Sequence, residues 1–266
     1  MSDWSKLSLE VSEQALRDIE KMDHRLFNID DEEISGKNEQ QIREMIVGEY
    51  FARVAAYAGK VASSFLFRSQ WSHEPAEWFD HRHHFLYPEK FMTDYTILSL
   101  SNVLEKLPLN GTILDLCSGD GWADYHFYRK RASRVTCVEL NEAGYKTALR
   151  LHGADNIEYR HGDVLTFEPE RDAYDVVLIR GAIEHFSRED QQLLFNKAYG
   201  ALKPGGWFCG DTPAANQSGE KHLHFHINEW RDEAEMRSEL SQVFHIVETK
   251  SLKSQSLTTL YWQCGK

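Results

Sequence analysis

The chain of 266 residues is 41% hydrophobic and 27% charged, which is ordinary for a globular protein that buries a substantial core. Its 42 acidic residues outnumber 30 basic ones, and the formal net charge of −12 disfavours DNA or RNA as a partner, because such a surface repels phosphate backbones. No apolar stretch approaches the roughly 20 residues of a membrane span, and the N-terminus lacks the apolar core of a signal peptide, so we expect a cytoplasmic protein without membrane contact.

The first part of the chain predicts a helical region. Apolar residues recur at helical spacing over 8–22 and 38–64, and the segment 65–92 is rich in aromatic and histidine side chains. No repeat or low-complexity linker separates this region from the rest. We therefore expect residues 1–95 to form a helical cap or lid on an α/β domain of residues 96–266, or else to provide the interface of a homo-oligomer.

Short apolar runs alternate with amphipathic stretches in the second part of the chain. We predict strands over 112–117, 135–140, 157–160, 174–179 and 207–210, and helices over 93–107, 122–131, 142–151 and 188–202. The stretch Lys203–Gly206 indicates a helix stop and a turn. Strands that are continuously apolar are buried on both faces, and their alternation with helices predicts a parallel sheet.

The predicted sheet ends differently. After a helix over about 228–239, the strand segments 243–249 and 257–263 are too close together for a crossover helix, so they should pair antiparallel. Asn141 and Asn228 are expected to cap the helices that follow them. The sequence therefore predicts a Rossmann-like, doubly wound, mostly parallel sheet of seven strands that ends in an antiparallel hairpin.

A glycine-rich turn follows the first strand of this sheet, where open α/β sheets bind ligands. In the turn DLCSGDG, Gly119 and Gly121 allow a sharp bend and a close approach to a ligand, and the next helix offers free N–H groups to a carboxylate. Asp124 stands where a dinucleotide fingerprint needs glycine, which makes a nicotinamide dehydrogenase a weak alternative. The carboxylates of Asp115, Asp120 and Asp124 suit an uncharged ribose and a cationic ligand better than a pyrophosphate.

Two more acids follow the next two strands. Glu139 ends the second strand, 24 residues after Asp115, where a carboxylate can accept hydrogen bonds from both ribose hydroxyls. Asp163 follows the third strand, where its carboxylate can accept from an adenine amino group while Val164 packs against the ring. The occurrence of these acids in order, each at the carboxyl end of a strand, indicates one nucleoside pocket.

The stretches ILDLCSGDGWAD, VTCVELN, HGDVLTF, YDVVLIRGAIEHF and ALKPGGWF resemble, in order and spacing, the class I S-adenosylmethionine-dependent methyltransferases over roughly residues 95–266. The resemblance implies S-adenosyl-L-methionine as the cofactor. The expected cofactor-binding residues are Asp115, Cys117, Gly119, Asp120, Gly121, Glu139, Leu140, Asp163, Val164 and Arg180. Arg180 departs from the small or polar residue of many relatives, and it could contact an anionic acceptor or pair with a nearby carboxylate.

Methyl transfer is an in-line displacement, so the protein mainly aligns the reacting atoms, and a hydroxyl acceptor also needs a base. Glu184 and His185, just beyond the fourth strand, resemble a frequent Glu-His pair of the family that faces the methyl group. We predict that His185 is the catalytic base or orients the acceptor. The alternative is a structural histidine that is hydrogen-bonded under the helix.

Two groups of histidines accompany these residues. His222, His224 and His226 alternate after the fifth strand, and His81, His83 and His84 lie in the aromatic segment. Imidazole suits zinc or iron, but alternate residues of an extended segment do not make a tetrahedral site by themselves, and no cysteine partners them. We therefore expect no metal. The expected substrate-binding residues are Glu184, His222, His224, His226 and Tyr87.

These observations predict a methyltransferase that acts on a small-molecule acceptor, with oxygen on a sugar or another secondary metabolite ahead of nitrogen or carbon. A protein acceptor is the nearest alternative within the class. From another class, the chain could be a non-catalytic protein that binds the cofactor as a scaffold.

Overall fold

The structure is a computed structural model that describes residues 17–19, 21–27, 29–54, 90–215, 221, 224–253 and 257–266, with only the backbone of 90–93. The described residues fall into two compact units, one up to residue 54 and the other from residue 90. None of the helices in these ranges is long and apolar enough to span a membrane.

The first unit contains a 3-10 helix, His24–Phe27, and a helix over residues 39–54 that we name α1. Asn38 begins α1 with a reciprocal capping arrangement, because the backbone N–H of Gln41 donates to its Oδ1 at 2.9 Å and its own N–H donates to Gln41 Oε1 at 3.0 Å. A small apolar core lies in this unit and contains Ile19, Phe27, Ile29 and Ile46. The helix predicted over 38–64 is confirmed as far as residue 54, and the remainder lies outside the described residues. The role of this region as a lid stays a prediction.

The second unit is built on a seven-stranded sheet, which confirms the predicted fold. Its strands are β1 Gly111–Leu116, β2 Ala132–Glu139, β3 Ile157–His161, β4 Tyr174–Arg180, β5 Leu202–Pro213, β6 Ile246–Lys253 and β7 Thr258–Gly265. The strand order is β3-β2-β1-β4-β5-β7-β6, and all neighbours are parallel except that β7 runs antiparallel to β5 and β6. The chain adds β2 and β3 on one side of β1 and then continues with β4 on the other side. The switch in strand order therefore lies between β1 and β4, where ligands of open α/β sheets bind.

Five helices accompany these strands in the described part of the second unit. They are α2 Lys90–Leu104, α3 Trp122–His126, α4 Glu142–Leu151, α5 Arg188–Ala201 and α6 Glu233–Leu240. Apolar side chains cover both faces of the sheet. Leu114 and Leu116 of β1 join one core, while Ile113, which points to the opposite face of the strand, joins the other.

The residues expected to cap helices were predicted correctly in one case and wrongly in another. Asn141 caps α4 as predicted, because its side chain accepts from the backbone N–H of Gly144. The prediction that Asn228 caps the next helix is wrong. Asp232 is the cap, because its side chain accepts from the N–H of Glu235 at 2.9 Å, whereas the Asn228 amide donates to Gln191.

Two other predicted boundaries changed. The helix predicted over 122–131 ends at His126 and is followed by a separate 3-10 turn, Tyr128–Lys130. The predicted turn Lys203–Gly206 lies within β5 as an irregular stretch, because Tyr174 pairs with Leu202 whereas Val176 pairs with Trp207.

Candidate active site

Four neighbouring parallel strands end at one edge of the sheet, and the predicted site residues follow them. β1 ends at Leu116, β2 at Glu139, β3 at His161 and β4 at Arg180. The site is therefore made of the four loops that leave this edge.

The glycine-rich loop after β1 has three residues with positive φ: Cys117 at 72°, Gly119 at 60° and Gly121 at 70°. A Cβ atom on Gly119 would meet no atom within 4 Å, so this position faces open space. A Cβ atom on Gly121 would lie 2.2 Å from Oη of Tyr159. Gly121 is therefore required by the packing of Tyr159, and not only by the approach of a ligand as the sequence suggested.

Glu139 connects the glycine-rich loop to the start of α4. Its Oε2 accepts from the backbone N–H of Gly119 at 2.8 Å, and its Oε1 accepts from the N–H of Asn141 at 2.7 Å. Burial raises the pKa of this carboxyl, and the two N–H groups oppose that shift. Each carboxylate oxygen keeps a second lone pair for a further donor such as a ribose hydroxyl.

Asp115 lies below the loop and not on its surface. It is 4% exposed, and its carboxyl lies beside that of Asp124, which is fully buried. Burial first, and the neighbouring Asp124 charge second, raise the pKa of Asp115 well above its usual value. Burial also raises the pKa of Asp124, while the positive charge of Arg180 opposes the shift in both groups. This arrangement favours a shared proton between the two acids.

The Arg180 side chain pairs with a carboxylate that sequence reasoning missed. Its Nε donates to Ser99 Oγ at 2.7 Å and lies 3.5 Å from Oδ2 of Asp211. Asp211 also accepts from Ser99 Oγ at 2.5 Å and from Tyr95 Oη at 3.0 Å. Of the two roles considered for Arg180, the structure therefore shows the ion pair. No local signal in the sequence indicates this cluster, because it joins α2, β4 and β5.

The loops after β2 and β3 contain further predicted cofactor-binding residues, of which Asp163 and Val164 are those predicted to hold adenine. Leu140 is 64% exposed, and its carbonyl accepts from the ring of His161 at 2.9 Å. Asp163 Oδ1 accepts from the backbone N–H of Leu165 at 2.8 Å, and Val164 is buried in the core. In the glycine-rich loop, Asp120 Oδ1 accepts from the N–H of Trp122 at 3.1 Å, so part of that carboxylate stabilises the start of α3.

Glu184 and His226 lie buried together after β4. Glu184 is in the 3-10 helix Ile183–His185, its Oε2 accepts from Thr212 Oγ1 at 2.8 Å, and its Oε1 is 4.0 Å from Nε2 of His226. Nδ1 of His226 makes a short hydrogen bond with Glu229. Burial raises the pKa of Glu184 to about 7, although the Thr212 hydroxyl and the His226 charge oppose this shift.

His185 is the exposed member of this group. Its ring stacks on Phe225 with centroids 5.7 Å apart and meets the His226 ring edge-on at 4.9 Å. Partial burial of the ring, and then the His226 charge, lower the pKa of His185 to about 4, so the ring is neutral at neutral pH.

The structure thus brings Glu184, His185 and His226 together, while His224 lies in an exposed turn. The predicted residues His222 and Tyr87 lie outside the described residues, as do His81, His83 and His84. Sequence reasoning missed Glu229 and Thr212. The spacing of three residues between His226 and Glu229 was a weak signal for the first of these, and the contact with Thr212 has no local signal.

Residues 113–206 match a family model described as a methyltransferase domain. The seven-stranded sheet and this match bear out the resemblance to the class I S-adenosylmethionine-dependent methyltransferases that the sequence predicted. S-adenosylmethionine is the cofactor of this class, as the sequence also predicted.

One curated protein is similar in sequence to this chain. It is phosphoethanolamine N-methyltransferase of Plasmodium falciparum (isolate 3D7), which is 26% identical over 146 residues. This matched segment covers 54% of this chain and 53% of that protein. Phosphoethanolamine N-methyltransferase 2 of Haemonchus contortus, in complex with S-adenosyl-L-methionine, has a TM-score of 0.59 at 16% identity and covers 75% of this chain and 59% of that one. A complex of the same enzyme with phosphomonomethylethanolamine and S-adenosylhomocysteine has a TM-score of 0.56 at 16% identity and covers 65% and 52%. This chain spans about half the length of these relatives, and the two structures bear on the fold alone.

Proposed function

We propose that this protein transfers the methyl group of S-adenosylmethionine to a small polar acceptor, with a hydroxyl oxygen as the first choice of accepting atom. The observation that carries this proposal is the group of Glu184, His185 and His226 at the carboxyl edge of the sheet. The Glu184 charge contributes to the raised pKa of Cys117 in the glycine-rich loop. The loops after β1 and β4 therefore lie close enough for their charges to interact. A cofactor held by that loop would therefore have its reactive end near a group of proton-accepting side chains.

The proposed cofactor contacts divide into three parts. Glu139 accepts from the ribose hydroxyls through the lone pairs that its two backbone donors leave. Asp163 accepts from the adenine amino group through Oδ2, and the exposed Leu140 side chain packs on the ring. The open space above Gly119 admits the methionine part of the cofactor. Because Asp115 is turned toward Asp124, its proposed role is to fix the floor of this pocket.

The cofactor supplies an electrophilic methyl carbon on a sulfonium sulfur, and the protein aligns the acceptor with it. A hydroxyl must lose its proton as the new bond to carbon forms. His185 is neutral at neutral pH and more exposed than its neighbours, so it can take this proton or orient the hydroxyl. Glu184 and His226 are buried next to it. The His226 ring contacts the His185 ring edge-on and so restricts its orientation.

An amine is the second candidate for the accepting atom. The similarity to phosphoethanolamine N-methyltransferase favours it, and the buried carboxylates Glu184 and Glu229 would suit a cationic headgroup. An amine acceptor also enters the reaction as a neutral nucleophile, so the same cluster would have to remove a proton first. The following experiment distinguishes this function from two alternatives, methylation of a protein and a non-catalytic scaffold that binds the cofactor. Formation of a homo-oligomer through the N-terminal helices stays a prediction.

The first experiment is calorimetric titration of the full chain with S-adenosylmethionine and S-adenosylhomocysteine, beside Glu139→Ala and the exposed control Glu142→Ala. We expect the first variant to bind at least about 10-fold more weakly and the second to bind like the unmodified chain. The saturated protein is then given a panel of hydroxyl and amino small molecules and a basic peptide, with transfer of a labelled methyl group as the readout. Absence of binding in ligand-free protein would refute the cofactor assignment. Binding without transfer to any acceptor would favour the scaffold.

A His185→Ala variant tests the catalytic part of the proposal. We expect it to bind the cofactor normally and to lose most of its turnover, since a positioned acid or base typically contributes about 100- to 10,000-fold. Full turnover in this variant would assign His185 a structural role.

A further inference from the structure

Two buried polar atoms face each other beneath the proposed acceptor position. They are Nε2 of His226 and Oε1 of Glu184, which lie 4.0 Å apart on side chains that are 0% exposed. Neither atom has a hydrogen-bond partner among the residues that the structure describes. Burying a polar atom without a partner is costly, and more so for a charged group, so both atoms call for a ligand.

The separation of these two atoms suits a metal ion. Nδ1 of His226 is hydrogen-bonded to Glu229, so Nε2 is the ring nitrogen that faces Glu184. An ion bound between Nε2 and Oε1 would give both atoms a partner. A hydrogen bond spans about 3 Å, whereas a zinc ion with bonds of about 2.0–2.2 Å to nitrogen and oxygen can span up to about 4 Å.

A third donor completes the group. One ring nitrogen of His185, Oε1 or Oε2 of Glu184 and a ring nitrogen of His226 all lie within 4.8 Å of one another. Two histidines and one carboxylate are the donor set of His₂Glu catalytic zinc sites and of non-haem iron sites that keep open coordination positions.

The surroundings of these donors also fit a metal site. Metal-binding histidines usually donate their other ring N–H to a carboxylate or a backbone carbonyl, and metal-binding carboxylates are themselves hydrogen-bonded. Here His226 is held by Glu229, His185 by the backbone of Phe225, and Glu184 by the Thr212 hydroxyl at 2.8 Å. All three donors are thus oriented by a second contact.

We infer that Glu184, His185 and His226 bind one divalent transition-metal ion, zinc or ferrous iron. This inference revises the expectation of no metal, which considered the two histidine groups and the lack of a cysteine partner but not Glu184 and His185 as ligands. His185 is the exposed ligand, so the open coordination positions face the side from which an acceptor arrives. An acceptor oxygen bound there would lose its proton more readily, and His185 would then orient the acceptor through the metal. That role rests on the proposed function, whereas metal binding does not.

The test is titration of the chelator-treated full chain with Co²⁺, followed by its visible ligand-field absorption, and then displacement by Zn²⁺. We expect one Co²⁺ per chain in the intact protein. Glu184→Gln and His226→Ala should abolish the bands, and Glu229→Gln should weaken binding by about 10- to 100-fold. His245→Ala is the matched control, because His245 is exposed just before β6, and this variant should bind Co²⁺ like the intact protein.

Retention of the bands in Glu184→Gln and His226→Ala would overturn the inference, since the ion would then lie elsewhere, and so would absence of bands in the intact protein. Glu184→Gln keeps the shape of the side chain, and circular dichroism of each variant separates loss of a ligand from loss of the fold. Calorimetric binding of S-adenosylmethionine to chelator-treated protein keeps the two proposals distinguishable. Cofactor binding without Co²⁺ binding would remove the metal and leave the proposed function in place.

Discussion

Replacing Gly121 by alanine should destabilise the fold far more than the same change at Gly119. Both residues have positive φ, and alanine in that region costs about 1–2 kcal/mol at either position. At Gly121 the new Cβ would also lie 2.2 Å from Oη and 2.6 Å from Cε1 of Tyr159. Overpacking of this kind adds about 1–3 kcal/mol. We therefore expect a loss of about 2–5 kcal/mol for Gly121→Ala and about 1–2 kcal/mol for Gly119→Ala.

The assay is thermal unfolding of both variants beside the unmodified chain. Each kcal/mol lowers the midpoint by about 2–4 °C in a domain of this size, so the two variants should differ by several degrees. Cofactor affinity, measured below both midpoints, should fall in both, since each glycine lies in the same loop. Equal midpoints for the two variants would refute the reasoning, because the contact with Tyr159 would then contribute nothing.

Three further predictions follow from the described contacts. Glu139→Ala should weaken S-adenosylmethionine binding by at least about 10-fold, since a hydrogen bond to a charged group contributes about 1.5–3 kcal/mol, and calorimetry with Glu142→Ala as control measures this. Asp211→Asn should lower the free energy of unfolding by about 3–5 kcal/mol in urea titrations, because it removes the ion-pair partner of the buried Arg180 guanidinium. Burial alone would raise the pKa of Glu235, but hydrogen bonds from two arginines lower it to about 2, below its usual 4.5. The stability that Glu235→Gln removes should therefore be present at pH 7 and disappear as the pH falls from about 4.5 to about 2. A difference between the two proteins that stays constant from pH 7 to pH 2 would contradict this assignment.

The parts of the fold that depend on neighbouring residues were predictable from the sequence. The cap at Asn141 is one example, because it needs only the N–H of Gly144 three residues later. The hairpin of β6 and β7 is another, because a short link excludes a crossover helix. Asn228 shows the limit of this reasoning, since its amide is used by Gln191 on a different helix and Asp232 caps instead.

In the candidate site, too, contacts between residues close in the chain were predictable and contacts between distant residues were not. Glu139 was assigned from its place at the end of a strand, and its contacts are local to that edge of the sheet. The partner of Arg180 could not be assigned, because Asp211 comes from the next strand and Ser99 from a helix 81 residues earlier in the chain. His226 faces Glu184, 42 residues away in the chain, so this contact could not be predicted from the spacing of the histidines.

The position of β7 in the sheet has a consequence for how the protein is made. β7 is synthesised after β6, yet it inserts between β5 and β6, and its residues are almost all buried. Until β7 has left the ribosome, β5 presents a free edge that includes the buried residues Phe208 and Cys209, and β6 lacks the strand with which it pairs in the described part of the sheet. Such an edge is a template for pairing with other chains. We therefore expect the nascent chain to be most prone to aggregation, and most dependent on chaperones, in the interval between translation of β5 and release of β7.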